Sequence, residues 1–221
     1  WLPLPATDDG MIAGGAQEVQ DLLAGYDALV LGCGLGQSEP TRRFVARLLA
    51  GSDLPPTVID ADGLNNLTQL DNWPARLPAD AVLTPHPAEM ARLSKLSVAD
   101  VVAQRWRLAL EQAAAWQTVL LIKGPYTVVA EPGGLLAVLP IATDALATAG
   151  TGDVLAGIIG GLLAQDVPAF QAACLGAAVH GAAGERCATE LGSMGTLAGD
   201  LLPRIPGVLV WLHGYGTISG L

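Results

Sequence analysis

The sequence predicts an α/β fold: a mostly parallel sheet with helices on both faces and an antiparallel hairpin at one side. Three observations support it. Four short runs are continuously apolar rather than alternating, at 27–32 (DALVLG), 57–60 (TVID), 81–84 (AVLT) and 118–122 (TVLLI). Strands buried on both faces read this way. Helical patterns separate the runs, and alternating strands and helices indicate parallel pairing through crossovers. Finally, 51% of the 221 residues are hydrophobic and 14% are charged, where average soluble chains carry about 25% charged residues. That composition excludes a disordered chain and supplies the core of a single domain over residues 1–221.

The elements follow in order. Residues 1–15 read as an extended lead-in and a turn. A short helix at 16–24 precedes the first strand. Ser38 is placed to cap a helix at 40–49, because a hydroxyl there accepts the free amides of a first turn. A helix at 63–70 follows the second strand, and a long amphipathic helix at 98–116 precedes the fourth. Runs 127–130 and 135–139 flank Pro132-Gly133-Gly134 and read as an antiparallel hairpin. The rest is helical, at 152–163, 169–191 and 196–202.

The net charge of −10 argues against nucleic acid, whose phosphates are bound by cation-rich faces. A small anion remains accessible to a helix N-terminus. The longest strongly apolar run, Val154 to Ala164, is too short to span a bilayer, so no membrane association is expected. Cys33, Cys174 and Cys187 are odd in number and at no metal-ligand spacing, which fits a reducing cytoplasm. Low charge combined with high apolar content predicts a homo-oligomer.

Ligands of such sheets bind beyond the carboxyl ends of the strands, so the loops there carry the candidate site. After the first strand, Gly32-Cys33-Gly34-Leu35-Gly36 allows close backbone approach but lacks the spacing of a dinucleotide fingerprint. After the second, Asp60 is placed for a polar or water-mediated metal contact, and Asp62 reads as a helix cap. After the third, two prolines brace His86; Pro87 can open a helix, and Glu89 can cap it or organise metal-bound water. After the fourth comes Lys123, one of two lysines in the chain, a point charge suited to a nucleotide phosphate. The strongest signal is Gly150-Thr151-Gly152-Asp153 before a long apolar helix. Free amides and the helix field make an anion hole there, and an adjacent carboxylate can take a proton from a hydroxyl. His180, in an apolar stretch, reads as a helix-packing residue, and the five tryptophans as core or interface anchors. Cys33 has no partner base and is not expected to be a nucleophile.

These motifs occur in a specific order, together with Ile122-Lys-Gly124, His180-Gly-Ala-Ala-Gly-Glu185 and Leu197-Ala-Gly-Asp-Leu-Leu202. The set closely resembles the ADP/ATP-dependent NAD(P)H-hydrate dehydratases, a carbohydrate-kinase-like branch of the ribokinase superfamily. The resemblance implies a ribokinase-like fold and a hydro-lyase that repairs (S)-hydrated NADH or NADPH. The added hydroxyl would be phosphorylated with ADP, or ATP, and Mg2+. Phosphate would then be eliminated, releasing AMP when ADP is the donor. Asp153 would be the catalytic base and a substrate contact. Lys123, Gly124, Pro125, Tyr126, Thr127, Gly150, Thr151 and Gly152 would bind the nucleotide. Gly34, Gly36 and His86 would line the hydrate side, and Asp60 and Glu89 would hold the metal through water. A tetramer is expected, fused to or paired with an NAD(P)H-hydrate epimerase. A strand, a glycine-rich turn and a helix would precede residue 1. The chain departs from the common pattern at Cys33, Gly63, Ala88 and Thr143-Asp144-Ala145. Two other readings fit the residues: a ribokinase-like kinase of a vitamin-precursor alcohol, and a non-catalytic nucleotide-binding module.

Overall fold

The computed structural model describes residues 1–218. An irregular lead-in, pinned by an antiparallel bridge between Ala6 and Ile12, opens the chain. Then follow α1 (Ala16–Leu23), β1 (Leu29–Leu31), α2 (Glu39–Leu48), β2 (Thr57–Ile59), α3 (Asp62–Leu67) and β3 (Ala81–Leu83). Next come α4 (Pro87–Ser94), α5 (Val98–Ala103), α6 (Arg105–Trp116), β4 (Val119–Ile122), β5 (Val128–Ala130) and β6 (Leu136–Val138). The chain continues through α7 (Thr151–Leu163), α8 (Ala169–Leu191), α9 (Ala198–Leu201) and α10 (Ile205–Ile218).

The strands form one six-stranded sheet in sequential order. β1 to β4 are parallel, and β4, β5 and β6 are antiparallel. Crossovers between parallel strands are right-handed. Successive crossovers that always step the same way therefore deposit their helices on one face. The pleat divides the strand residues accordingly. Leu31, Ile59, Leu83, Leu120 and Ile122 pack with residues of α1 to α6. Val58, Val82, Val119 and Leu121 meet α7 and α8 on the other face. α9 and α10 cover the outer side of α8. Small residues bring α7 close: a Cβ on Gly160 would lie 2.5 Å from Val30 Cγ2, and one on Gly176 2.5 Å from Ile159 Cγ1.

The parallel sheet, the helices on both faces and the hairpin are as the sequence predicts. Ser38 caps α2 by accepting from the Thr41 amide. The predicted 98–116 helix is divided at Gln104, whose φ of −120° leaves the helical range. The division lets Val101 and Leu108 both reach the core while Arg105 turns toward the β4–β5 loop. The sequence reading missed α10, where Pro203, Pro206 and Gly207 mask the helical pattern. Asp62 is not a cap: Ala61 holds that position, and the Asp62 carboxylate instead accepts from Gly36 N at 2.9 Å and Gln37 Nε2 at 2.7 Å. Of the tryptophans, Trp73 and Trp116 are buried edge-to-face at 4.7 Å, while Trp1, Trp106 and Trp211 are exposed.

Candidate active site

Four strand ends and one helix start converge at the carboxyl edge of the sheet. Gly32 leaves β1 at φ +129°, and a Cβ there would lie 1.9 Å from the Asp60 carbonyl oxygen. Only glycine lets the first loop sit this close to the second. Asp60, at the end of β2, is buried. Its Oδ1 lies 2.6 Å from Lys123 Nζ, supplied by the loop after β4. Lys123 Nζ is also 3.8 Å from Glu89 Oε2, and the Lys123 amide donates to Pro85 O at 2.8 Å.

His86 is the N-cap of α4. Its Nδ1 accepts from the Ala88 amide at 3.1 Å, while its own amide donates to Glu89 Oε2 at 2.8 Å. Two first-turn groups are thereby satisfied reciprocally. His86 Nε2 lies 3.3 Å from Glu89 Oε1. Burial pushes the Glu89 carboxyl above its usual range, opposed by Lys123 and the His86 amide. Burial also pushes the His86 imidazole down, reinforced by the charges of Lys123 and Arg92, so the ring is neutral at pH 7.

α7 begins against this ion pair: a Cβ on Gly152 would lie 3.4 Å from Lys123 Nζ and 3.5 Å from Asp60 Oδ2. Gly150 takes the left-handed N-cap position with φ +88°. The Thr151 hydroxyl donates toward Leu146 O (2.8 Å) and Thr148 O (2.9 Å), and its amide toward Thr148 O (3.3 Å). The helical ladder starts with Val154 N to Gly150 O, which leaves the Gly152 and Asp153 amides as first-turn donors. The Asp153 side chain is exposed, and Cys33 Sγ, an Asp60 oxygen and an Asp153 oxygen lie within 4.8 Å of one another. Burial, then a hydrogen bond to Asp153, pushes the Cys33 thiol up to about 12. Cys33 is therefore a thiol rather than a thiolate; the sequence offered it no basic neighbour, whereas the structure places the Asp153 carboxylate beside it, which holds the proton on sulfur.

Beside the α7 N-terminus lies a cavity of about 330 Å³. Lys123, Gly124, Pro125, Thr127, Thr151 and Gly152 line its polar end, and Leu139, Ile141, Leu146, Leu155 and Ala177 its apolar walls. Tyr126, which the resemblance assigns to the nucleotide, is not among its lining residues. The Tyr126 side chain is exposed, its φ is +55°, and its amide donates to Ile141 O at 3.0 Å. Thr151 lies in the wall with its hydroxyl donated to Leu146 O and Thr148 O. Gly36 likewise has its amide engaged by Asp62. Gly34, at φ +67°, has open space where a Cβ would stand. His180 is buried, as expected, but also lines the cavity. Burial pushes its imidazole down to about 4; a hydrogen bond to the Thr151 backbone opposes that, and Nε2 is left without a partner. Thr143 and Asp144 also line the cavity. They belong to the stretch 143–145 where the chain departs from the family's common pattern, a change able to alter nucleotide contacts or the loop's geometry.

No helix among the described residues is long and apolar enough to cross a membrane. A family model described as NAD(P)H-hydrate dehydratase matches residues 4–207. An ADP-dependent (S)-NAD(P)H-hydrate dehydratase of Neisseria meningitidis is 43% identical over 181 residues, which cover 80% of this chain and 61% of that protein. A bifunctional NAD(P)H-hydrate repair enzyme of Moorella thermoacetica is 41% identical over 209 residues, covering 94% of this chain but only 39% of that protein. The chain thus spans well under half of the bifunctional relative. A crystal structure of the ADP/ATP-dependent NAD(P)H-hydrate dehydratase of Bacillus subtilis, co-crystallized with ATP/Mg2+ and soaked with CoA, superposes with a TM-score of 0.72. That protein is 33% identical, with 83% of this chain and 65% of that one covered. The fold is ribokinase-like, and the chain belongs to the NAD(P)H-hydrate dehydratase family.

Proposed function

We propose that this chain, acting as a ribokinase-like domain, is an ADP-dependent (S)-NAD(P)H-hydrate dehydratase. One observation carries the reading: the Asp153 carboxylate stands on the first turn of α7, next to two free amides and the Asp60–Lys123 pair, at the mouth of a nucleotide-sized cavity. The names of the relatives support the substrate.

In this reading the nucleotide lies in the cavity with its base against the apolar walls and its phosphates toward Lys123, Gly124 and the Gly152 amide. Asp153 takes the proton of the hydrate's hydroxyl, and the oxygen attacks the terminal phosphorus of ADP, releasing AMP. The Gly152 and Asp153 amides hold the charge that develops on the transferred group. Phosphate then leaves the ester with the C–O bonding electrons while the adjacent ring carbon loses a proton, which restores the double bond. The neutral His86 and the open face at Gly34 border the hydrate. Mg2+ takes oxygen ligands and keeps several waters, and the donor set fits it. Asp60 and Asp153 offer carboxylate oxygens near the phosphate position, with Glu89 behind them. The ion would neutralise phosphate charge. We further propose a homo-oligomer, a tetramer by the family resemblance, working in the cytoplasm beside an epimerase activity.

The test is incubation with ADP, Mg2+ and hydrated NADH while following absorbance of the reduced nicotinamide. Recovery of the band is expected. Asp153→Asn should lower the rate by at least about 10²-fold and leave ADP binding and melting temperature close to wild type. Phosphorylation of a vitamin-type alcohol with no recovery of the band would assign the site to a kinase instead.

A further inference from the structure

Lys123, the cation expected to meet the nucleotide, is already in contact with two carboxylates, Asp60 at 2.6 Å and Glu89 at 3.8 Å. Asp153 adds a further negative charge beside them. The side chains of the centre are therefore net negative, and a divalent ion at Asp60 and Asp153 would offset the charge of a diphosphate ligand only in part. Behind the Gly124–Pro125 turn that lines the cavity, though not itself in the lining, stands a second cation, Arg105, the first residue of α6, where the helix restarts after Gln104. Its Nη2 donates to Pro125 O at 2.6 Å. A Cβ on Gly124, which holds φ +143°, would lie 2.8 Å from its Nη1. Its Nε is buried without a partner. Among the described residues no carboxylate forms an ion pair with it. The cation on the His86 side, Arg92, is turned to Asn65 Oδ1 at 2.7 Å.

We infer that Arg105 is a positioning residue of the nucleotide site. Its guanidinium holds the Gly124–Pro125 turn from behind and supplies the uncompensated positive charge that draws the nucleotide's phosphates. The inference rests on the proposed nucleotide site and adds a residue to it. The mechanism is physical. The guanidinium donates to the Pro125 carbonyl, and its Nη1 occupies the space beside Gly124 that a side chain would need. A partly desolvated cation with no counter-ion projects its field through low-dielectric surroundings further than a solvated one. Gly124 has no side chain, so the charge can sit directly behind the turn that faces the cavity.

The test is titration calorimetry at low salt with adenosine, AMP and ADP, on wild type, Arg105→Gln and Arg105→Lys. Wild-type affinity should rise with each phosphate. Arg105→Gln should weaken ADP about tenfold and AMP less, and leave adenosine unchanged, because only the phosphates sense the charge. Arg105→Lys loses the fork but keeps the charge, and because the phosphates sense the charge it should hold ADP within about threefold of wild type. In turnover, KM for ADP should rise in Arg105→Gln more than kcat falls. Equal loss for all three ligands would make Arg105 a scaffold residue only, and no loss would remove it from the site; either overturns the inference. Should Arg105→Gln fail to fold, Arg105→Lys decides, and a tenfold loss of ADP in that variant overturns the charge argument. Wild type that binds no ADP refutes the proposed function itself, an outcome distinct from wild type that binds and variants that do not differ.

Discussion

Asp60 and Lys123 show what a single pair can do here. Each is costly to bury alone, and together with the Glu89 carboxylate they form a centre whose members fix one another. His180 shows the opposite treatment, a polar ring kept neutral by burial. Its folded pKa lies at about 4, while an unfolded histidine titrates near 6.5. As pH falls through about 6.5 the unfolded chain takes up a proton that the folded state refuses, so stability declines on acidification until about pH 4. The urea midpoint should therefore drop less between pH 7 and pH 5 in His180→Gln than in wild type. Glu89 acts in the opposite sense, since its raised carboxyl favours the folded state in acid, but it is common to both proteins. Parallel drops in the two proteins would show that His180 is not the group responsible.

At the scale of elements, α7 and α8 decide how closely the second face of the sheet can be covered. Glycine is a weak helix former, yet α7 contains Gly157, Gly160 and Gly161, and α8 contains Gly176, Gly181 and Gly184. These glycines divide into two kinds. Gly176 meets Ile159 Cγ1 at 2.5 Å from where a Cβ would stand, and Gly184 meets Leu146 at 2.7 Å, whereas Gly157 has nothing within 4 Å. Gly176→Val should cost about 1–3 kcal/mol by overpacking. Gly157→Ala should gain up to about 1 kcal/mol from helix propensity. Thermal melts of the two variants should move in opposite directions, and a higher melting temperature for Gly176→Val would show that the helices can separate freely.

At the scale of the whole molecule, one sheet serves both cores. β2, β3, β4 and β5 give alternate residues to the clusters on the two faces, so neither cluster can melt without exposing the backbone of the other. Unfolding in denaturant should be a single transition. Far-UV circular dichroism reports both layers of helices, and tryptophan fluorescence reports the buried Trp73–Trp116 pair on the first face. The two curves should superimpose; separated midpoints would mean that the faces unfold independently.

The sequence by itself determined the strand–helix alternation, the hairpin, and the glycine-lined start of α7 with its aspartate. Those signals are local: a buried strand is a short apolar run, and a helix N-terminus is a few residues of backbone chemistry. Asp60, His86, Glu89, Lys123 and Asp153 were legible as candidates because each lies just after a strand or in the first turn of a helix. Adjacency in a motif does not say whether an amide or hydroxyl is already engaged, so the internal hydrogen bonds of Tyr126, Thr151 and Gly36 were not legible in the sequence. Only the tertiary structure decided that Lys123 pairs with Asp60 across 63 residues of chain, that Arg105 stands behind Pro125, and that His180 walls a cavity. Those contacts depend on the order of strands in the sheet and on where a helix breaks, and no residue pattern within reach of a single turn encodes either.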